Sequence, residues 1–582
     1  MKRCRHAAFA GLALLVTVAV AHPARAQEAA LDTPLDTPLA IRAIIGLADP
    51  AQLLPAEAGA RGVDLSRLDI PNPAGLVARL AALIGEPIES AALDRLRDAV
   101  TTHFREAGRP FVDIGLPEQD VTDGVLQLVI VEFRLGQVGV EGNAWFGTNH
   151  ILSRAGLRPG QVVDKPELDR RIAQLNAGPY LVVTPEFRPG TAPGTTDAVL
   201  RVQDRLPLQV TASLTNTGSP STGLERLALG AAWGDAFGRG DTLSWTFTTS
   251  PDFWHERGAM GGRERPPAFV GHSLGWQTQL PWGHSLSLSG GHMRQSPKLG
   301  PDLGSRGLTV LAGAVYAVPL SAPDAAGAQE LSFGYDFKRT NNDLSFGGAT
   351  VQRGFTEVSQ FTLRHMLAVP HAGGQTQLQS SLVLSPGGMT SENTDTAFQP
   401  NGFDQSGTPG AKARYAYGRV ALTRMAPLTD SLGLVLRASG QWASGTLLPS
   451  EQMSLAGSDA VRGYHEFGVA ASDGVLLTAE LRGPRIPLPR LMTRLIPGEV
   501  VSGAAADAVV QPHLFADWGR GWNRVPSVAA PARVSAASIG IGTRIEMGRG
   551  VSLRLEQGWQ LIEAPRQGAD GAFLHLALTG TW

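Results

Sequence analysis

The chain has 582 residues, of which 18% are charged, and its formal net charge is −2. This length exceeds that of one ordinary domain, and a charge so close to zero gives no electrostatic case for binding nucleic acid. The 69 glycines and 40 prolines are too many for a helical enzyme. They suit a β-rich protein, either a membrane barrel with a polar interior or a soluble sheet protein.

Residues 1–26 have the three zones of an export signal. Basic side chains at positions 2, 3 and 5 precede an apolar run over residues 7–21, and small residues follow it. This order predicts a secretory signal peptide that is cleaved after Ala26. The chain's one cysteine, Cys4, lies before that point, so we expect a mature chain without disulfides.

Residues 27–60 are predicted to be a helix or a linker that precedes the folded modules. Leu39–Leu47 is the candidate helix within this stretch. The rest of the segment contains a doubled Leu-Asp-Thr-Pro sequence over Leu31–Pro38 and favours a flexible, proline-rich linker. Both alternatives remain open from the sequence.

Two α+β modules follow, over residues 61–133 and 134–204. The first has helical apolar spacing over Ala74–Ile84 and Ala91–Ala107, and then an apolar strand over Val125–Val131. The second repeats this order. Its helices are predicted near residues 150–155 and 165–175, and its closing strand over residues 198–202.

Residues 206–582 form a series of amphipathic strands. Residues 551–556 alternate between apolar and polar side chains, and residues 572–582 do the same up to the terminal Trp582. Spanning strands of about 10 residues would give about sixteen antiparallel strands in this region. A barrel of that size encloses a lumen wide enough for a polypeptide, whereas a soluble sandwich is the less favoured alternative.

The sequence offers no catalytic or cofactor site. None of the lysines in the mature chain completes the Gly-Lys-Ser/Thr step that cradles a nucleotide phosphate. His272, His284 and His292 lack the spacing of a zinc-binding helix. We therefore expect neither an enzyme nor a metal, cofactor or nucleotide site.

Two short motifs in the strand-rich region are more specific. The first is Val461-Arg462-Gly463-Tyr464, and the second, about fifty residues later, contains Phe515, Asp517 and Gly519. Turn residues in the two modules add to them. They are Pro117, Gln119, Asp120 and Gly124 in the first module, and Asn176, Gly190 and Asp197 in the second.

With these motifs the chain resembles the transporters of two-partner secretion, of the haemolysin and filamentous-haemagglutinin type. The resemblance covers nearly the whole mature chain. It implies a sixteen-stranded outer-membrane β-barrel preceded by two periplasmic polypeptide-transport-associated (POTRA) modules. It also implies that the 461–464 motif is the tip of a loop folded into the lumen, where Arg462 pairs with Asp517 on the barrel wall. The N-terminal helix would plug the pore, and Trp582 would be the signal for barrel assembly.

The function implied is secretion of one partner exoprotein, an adhesin or a haemolysin, across the outer membrane of a Gram-negative bacterium without ATP. The POTRA modules would catch the extended passenger, and strand addition at the strand Ala198–Val202 is one candidate mode. The other expected partners are the membrane lipids and the barrel-assembly machinery. A barrel-assembly factor is the alternative function, and a passive pore or surface adhesin is a third.

Overall fold

The structure is a computed structural model. It describes residues 39–55, 59–176, 178–255, 266–297, 303–321, 327–346, 349–352, 354–400, 407–495, 507–526, 530–548, 550–563 and 571–582. The predicted signal peptide, Cys4 and the doubled Leu31–Pro38 sequence lie outside these residues. Within them, no helix has both the length and the apolar composition needed to cross a membrane.

The first module is a four-stranded sheet with two helices. Its elements are β1 Ala43–Leu47, a 3-10 turn at Pro50–Gln52, β2 Gly62–Asp64, α1 Pro73–Ala81, α2 Ser90–Glu106, β3 Val112–Gly115 and β4 Val125–Glu132. The strand order is β2-β1-β4-β3, with β1 parallel to both of its neighbours. Leu76, Leu96 and Leu128 are fully buried where the helices pack on the sheet.

The prediction of a helix over Leu39–Leu47 is wrong. Residues 43–47 form the strand β1, and all five residues are buried. The β-branched pair Ile44 and Ile45 suits a strand that is covered on both faces, and such parallel strands are continuously apolar rather than alternating. The first sheet therefore begins at Ala43, inside the stretch that the sequence assigned to a helix or linker. Gln127 of β4 fixes the following segment, because its side chain exchanges two hydrogen bonds with the backbone of Leu54.

The second module has a three-stranded sheet. Its elements are β5 Arg134–Glu141, α3 Thr148–Ala155, α4 Lys165–Leu175, β6 Leu181–Pro189 and β7 Thr195–Asp204. The strand order is β5-β7-β6. Strand addition at Ala198–Val202 is therefore excluded, because these residues lie in the central strand, which is paired on both sides.

The rest of the chain forms a closed antiparallel barrel. Within the described residues sixteen strands make the wall, which confirms the predicted fold. They are β8 Leu208–Thr215, β9 Arg226–Gly234, β10 Thr242–Thr249, β11 Phe269–Gln279, β12 Ser285–Gln295, β13 Leu303–Pro319, β14 Ala328–Phe346, β16 Phe355–His371, β17 Gly374–Pro386, β18 Arg414–Pro427, β19 Gly433–Ala443, β22 Asp473–Arg482, β24 Val509–Trp522, β25 Arg533–Met547, β26 Val551–Gln560 and β27 Ala572–Thr581. Shorter elements occur in the connections: α5 Asp252–His255, β15 Ala349–Gln352, α6 Asp395–Phe398, β20 Met453–Ser454, β21 Ala470–Ala471, β23 Ile486–Pro487 and α7 Leu488–Leu495.

The alternation of side chains decides which face of each strand meets lipid. In β27, Leu574 and Leu578 are exposed on the outside, whereas His575 is 2% exposed on the inside. In β24, Leu514 and Trp518 are exposed, whereas the odd-numbered residues between them are buried inside. Apolar-out and polar-in alternation is the pattern that a lipid-embedded barrel requires.

The barrel closes where β27 pairs with β8. The ladder there joins Ala577–Thr581 to Thr211–Thr215. It is extended at one end by two backbone hydrogen bonds between Val210 and Trp582. At the other end, the Asn216 side chain bonds to the backbone of Leu574 and Leu576. The seam is hydrogen-bonded at both ends, so the wall is continuous.

The proline-rich segment 484–509 connects β22 to β24. These two strands pair directly from Asp473 with Trp522 to Arg482 with His513, so the segment leaves the strand register intact. It contains the short strand β23, which pairs with the start of β24, and the helix α7. Residues 496–506 lie outside the described part of the chain.

Candidate functional site: the loop anchored inside the barrel

The long loop between β19 and β22, residues 444–472, folds into the barrel rather than away from it. Its buried side chains include Leu455, Val461 and Tyr464, each at most 1% exposed. They pack against Leu476 of β22 and Ala536 of β25 on the inner wall. The loop therefore occupies part of the space through which anything crossing the barrel has to move.

Arg462, at the tip of this loop, is held by three carboxylates from three wall strands. Its Nε and Nη2 donate to the two oxygens of Asp517 at 2.8 and 2.9 Å. Its Nη1 donates at 3.0 Å both to Glu480 and to Glu556. The backbone N–H of Arg462 also donates to Asp517, at 3.1 Å. The predicted contact between Arg462 and Asp517 is thus present, as a two-pronged fork.

This environment suits arginine better than any other cation. The side chain is 4% exposed, and a planar guanidinium can satisfy several carboxylate oxygens at once. Its Cζ also lies 3.7 Å from the centre of the Phe515 ring, which adds a cation–π contact. A lysine in this position would supply one point charge and no fork.

Further charges balance the acidic wall. Glu480 also accepts from Arg482 at 2.7 Å and from Arg544 at 3.0 Å, and His513 lies 3.0 Å from Glu556. Oxygen and nitrogen atoms of Glu480, His513 and Glu556 converge as metal ligands would. The guanidinium of Arg462 is hydrogen-bonded to both carboxylates, so it occupies the place of a cation there.

The backbone of the loop tip lies directly against β26. Gly463 has a φ of +88°, and a Cβ on it would come within 2.9 Å of the Gly558 carbonyl carbon. Conversely, a Cβ on Gly558 would lie 2.6 Å from the Cα of Gly463. The Gly463 N–H donates to His575 at 3.1 Å, and its carbonyl accepts from Gln560 at 2.7 Å. Both glycines are needed for this close approach.

The remaining motif residues fix the tip on either side. The Tyr464 hydroxyl donates to the Ala537 carbonyl at 2.9 Å and also contacts the Ile562 carbonyl. Val461 packs against Gly519, where a Cβ would lie 3.3 Å from the valine Cγ2. Gly519 therefore leaves room on the wall for the loop.

The resemblance to the family implied the contact between Arg462 and Asp517, but it did not indicate Glu480, Glu556 or Gly558. The sequence does indicate that the two glutamates face the interior of the barrel. Each is a carboxylate on the polar face of a strand whose other face is apolar, so each points into the barrel. Nothing in their spacing shows that they converge on Arg462, because that depends on the register between β22, β24 and β26.

The motif residues of the first module hold turns and strands together. Gln119 accepts from the N–H of Gln127 at 2.7 Å and donates to its carbonyl at 2.8 Å, as an added strand would. Asp120 caps the turn by accepting from the backbone and hydroxyl of Thr122. Gly124 has a φ of +71°, and Pro117 contributes a carbonyl acceptor for Gln119.

The motif residues of the second module also hold turns and strands together. Asn176, at the end of α4, exchanges two hydrogen bonds with the backbone of Val183, at 2.7 and 2.9 Å. Asp197 accepts from the N–H of Gln137 at 2.7 Å. Gly190 closes the β6–β7 hairpin onto Thr195. These residues hold the turns and strands of the modules together.

The second module is fastened to the near rim of the barrel. His150 and Arg154 of α3 bond to the carbonyls of Gly238 and Arg239 in the β9–β10 turn.

Within the second module, Asp204, just before the first barrel strand, accepts the N–H groups of residues 144–146. Burial disfavours its charge, but these hydrogen bonds outweigh that effect and lower the pKa of Asp204.

Comparison with known proteins decides the family. Residues 194–545 match the family described as haemolysin secretion/activation protein ShlB/FhaC/HecB. The chain belongs to this family. Residues 60–132 also match the ShlB-type POTRA domain.

Relatives of the chain are transporters. It is 25% identical over 412 residues to the outer membrane transporter CdiB of Dickeya dadantii, an alignment that covers 67% of this chain and 65% of the relative. It is 20% identical over 419 residues to the heme/hemopexin transporter protein HuxB of Haemophilus influenzae, covering 69% and 67% of the two chains. This member of the family is therefore an outer-membrane protein whose POTRA modules lie in the periplasm.

Solved structures show the same fold. CdiB from Escherichia coli superposes with a TM-score of 0.61 at 17% identity, over 94% of this chain and 91% of that one. BamA from Haemophilus ducreyi, in a form lacking POTRA domains 1–3, superposes with a TM-score of 0.52 at 12% identity, over 91% of this chain and 100% of that one. At these identities the likeness concerns the fold alone.

Proposed function

We propose that this protein recognises one unfolded exoprotein in the periplasm through its POTRA modules and secretes it through the barrel lumen. The passenger is an adhesin or haemolysin. Transport needs no ATP, because the passenger folds on the outside and so does not return. The protein has no catalytic role in this account, and Trp582 is its signal to the barrel-assembly machinery.

The observation that carries the proposal is the loop anchored inside a closed barrel. A structural loop would need no buried arginine, since well-packed apolar side chains stabilise an interior at least as well as a buried ion pair. An arginine of the loop held by carboxylates of the wall instead provides a contact that is specific in position and can be exchanged for water. We infer that the tip of the loop leaves the wall when the passenger enters.

The wall seam supports passage through the lumen. The β8–β27 junction is closed by hydrogen bonds at both ends, whereas an assembly factor that passes strands sideways would have to open it. Capture does not use β6, although it is an edge strand. The outward backbone groups of Val183 are taken by Asn176, and Pro185 and Pro189 have no N–H to offer.

The proposal is tested by the protein composition of the culture medium. Cells with the intact chain, without it, with Arg462→Ala and with Arg306→Ala would be compared at equal amounts of folded barrel in the membrane. Arg306 is an exposed arginine on another wall strand and is the matched control. We expect one large exoprotein to disappear without the chain and to fall strongly with Arg462→Ala only. An unchanged medium with a general loss of outer-membrane barrels would instead establish an assembly factor.

A further inference from the structure

A second buried ionic contact holds the same loop on another part of the wall. Glu451 lies in the stem of the loop, before the tip, and its side chain is 1% exposed. Its carboxylate accepts from Lys338 of β14 at 2.6 Å, from Gln360 of β16 at 3.0 Å and from Tyr417 of β18 at 2.8 Å. Three strands that are remote from the Arg462 contact thus converge on one loop carboxylate.

The backbone at Glu451 is held as well. Its carbonyl accepts from Arg419 of β18 at 2.9 Å and from Gln441 of β19 at 3.1 Å. Tyr415 completes the network, because its hydroxyl donates to Gln360 at 2.7 Å. Among the described residues, the hydrogen bonds that Glu451 accepts therefore come from the wall, apart from one from the hydroxyl of the neighbouring Ser450.

The two contacts lie on opposite sides of the root of the loop. In the order of the barrel, β14, β16 and β18 come before β19, and β22, β24 and β26 come after it. Glu451 contacts the first group, and Arg462 contacts the second. The loop is thus fixed at two points with opposite polarity. At the stem a loop carboxylate accepts hydrogen bonds from the wall, and at the tip a loop guanidinium donates them to the wall.

We propose that Glu451 is a second positioning residue for the loop, and that the barrel opens fully only when both contacts have broken. This rests on the proposed function, in which the loop leaves the lumen. With either contact intact, the loop pivots but still crosses the lumen. The stem contact also holds the loop against the cap formed by the β17–β18 connection, since Leu447 and Leu448 pack with Phe398 and Ala411.

The test is the ion current through the full-length barrel in planar lipid bilayers with potassium chloride as the only solute. Glu451→Gln keeps the shape of the side chain but removes its charge. Lys338→Met removes the charged donor from the wall. Losing one hydrogen bond to a charged group changes an equilibrium constant by about one order of magnitude. Each variant is therefore expected to raise the frequency of large openings about tenfold.

Glu357→Gln is the matched control. Glu357 is another buried glutamate, on β16, but its carboxylate contacts Arg339 and the backbone of Glu392 instead of the loop. We expect this variant to conduct like the parent. Arg462→Ala combined with Glu451→Gln should open more often than either single variant, as expected for two contacts on one loop.

A reversible disulfide, called the lock below, distinguishes release of the loop from a general loosening of the barrel. Ala411 and Thr446 are partners in an isolated β-bridge between the cap and the loop stem, so cysteines at these positions are within disulfide reach. In the Glu451→Gln background, oxidation should return the openings to the parent level and reduction should restore them. Openings of Glu451→Gln equal to those of Glu357→Gln, or unaffected by the lock, would overturn the proposal. Since no passenger is present, either result is independent of whether secretion is the function.

Discussion

At the scale of single residues, Arg462 and the two glycines at the contact explain why the loop tip has one position. The guanidinium is the only group on the described loop that reaches three wall carboxylates, and the two glycines allow the backbones to touch. Charge and shape are separate requirements. Separate substitutions can therefore remove the charge of the arginine or the space left by the glycines.

Arg462→Ala should destabilise the loop strongly. It leaves Asp517, Glu480 and Glu556 close together without their shared cation, and breaking a buried ion pair costs about 3–5 kcal/mol. We expect a lower unfolding temperature of the purified barrel in detergent and much reduced secretion. Arg462→Lys should recover only part of both, because lysine cannot form the fork. Full recovery with lysine would show that charge alone suffices.

Gly558→Ala tests shape with all charges kept. The added Cβ would fall 2.6 Å from Gly463, so the tip has to move away from β26. We expect the ion current and the secretion of this variant to change in the same way as those of Arg462→Ala. Gly290→Ala, on strand β12, is the control, since its nearest neighbour atom would lie 3.8 Å away. Equal behaviour of the two alanine variants would contradict the close contact.

Asp204→Asn should loosen the connection between β5 and α3 within the second module, because Asp204 accepts the N–H groups of residues 144–146. The folded-state pKa of Asp204 is lowered, so its stabilisation is complete above its unfolded pKa of about 3.9 and is lost as the pH falls through the folded value. At pH 7 the amides of residues 144–146 should exchange hydrogen about tenfold faster in the variant, from the loss of one charged acceptor. Once the pH has fallen below the folded-state pKa of Asp204, parent and variant should have the same protection factors. A difference that persists in acid would rule out the charge as the cause.

At the scale of elements, the sequence predicted most helices and strands because their apolar spacing is regular. The helices near residues 150–155 and 165–175 appear as α3 and α4, and the final strand runs to Thr581. It failed at Leu39–Leu47, where a short strand covered on both faces has no alternation to reveal it. It also missed which strand of the second module is central, since strand order depends on contacts between distant residues.

Asn176 explains why β6 remains an unpaired edge. Its amide occupies the outward N–H and C=O of Val183, which protects the edge from unwanted pairing. Asn176→Ala should expose these groups at a cost of about 1–3 kcal/mol. Hydrogen exchange of the full-length protein should then show faster exchange at Val183 than at Thr184, whose neighbour on β7 is retained. Gln203→Ala, an exposed change on β7, should leave both amides unchanged. Equal protection of Val183 in the parent and in Asn176→Ala would show that another group covers the edge.

At the scale of the whole molecule, a continuous wall encloses a loop that bears opposite charges at its stem and tip. The sequence predicted the barrel and the two modules, and its resemblance to the family implied the contact between Arg462 and Asp517. It could not predict that Glu480 and Glu556 join them, nor that Glu451 fixes the stem, because these contacts connect strands that are distant in sequence. Because the loop points inward and the seam is closed, we propose that release of the loop is the step that opens the passage.

The most direct test of this account locks the tip to the wall. A Cβ at Gly519 would lie 3.3 Å from Cγ2 of Val461, so cysteines at these two positions are within reach of a disulfide. The mature chain has no other cysteine if the signal is cleaved after Ala26, and each single cysteine variant is a control. Secretion would be measured with the lock oxidised and after adding a reductant. The account predicts that oxidation stops secretion, that reduction restores it, and that neither single variant responds. Normal secretion through fully cross-linked barrels would contradict it.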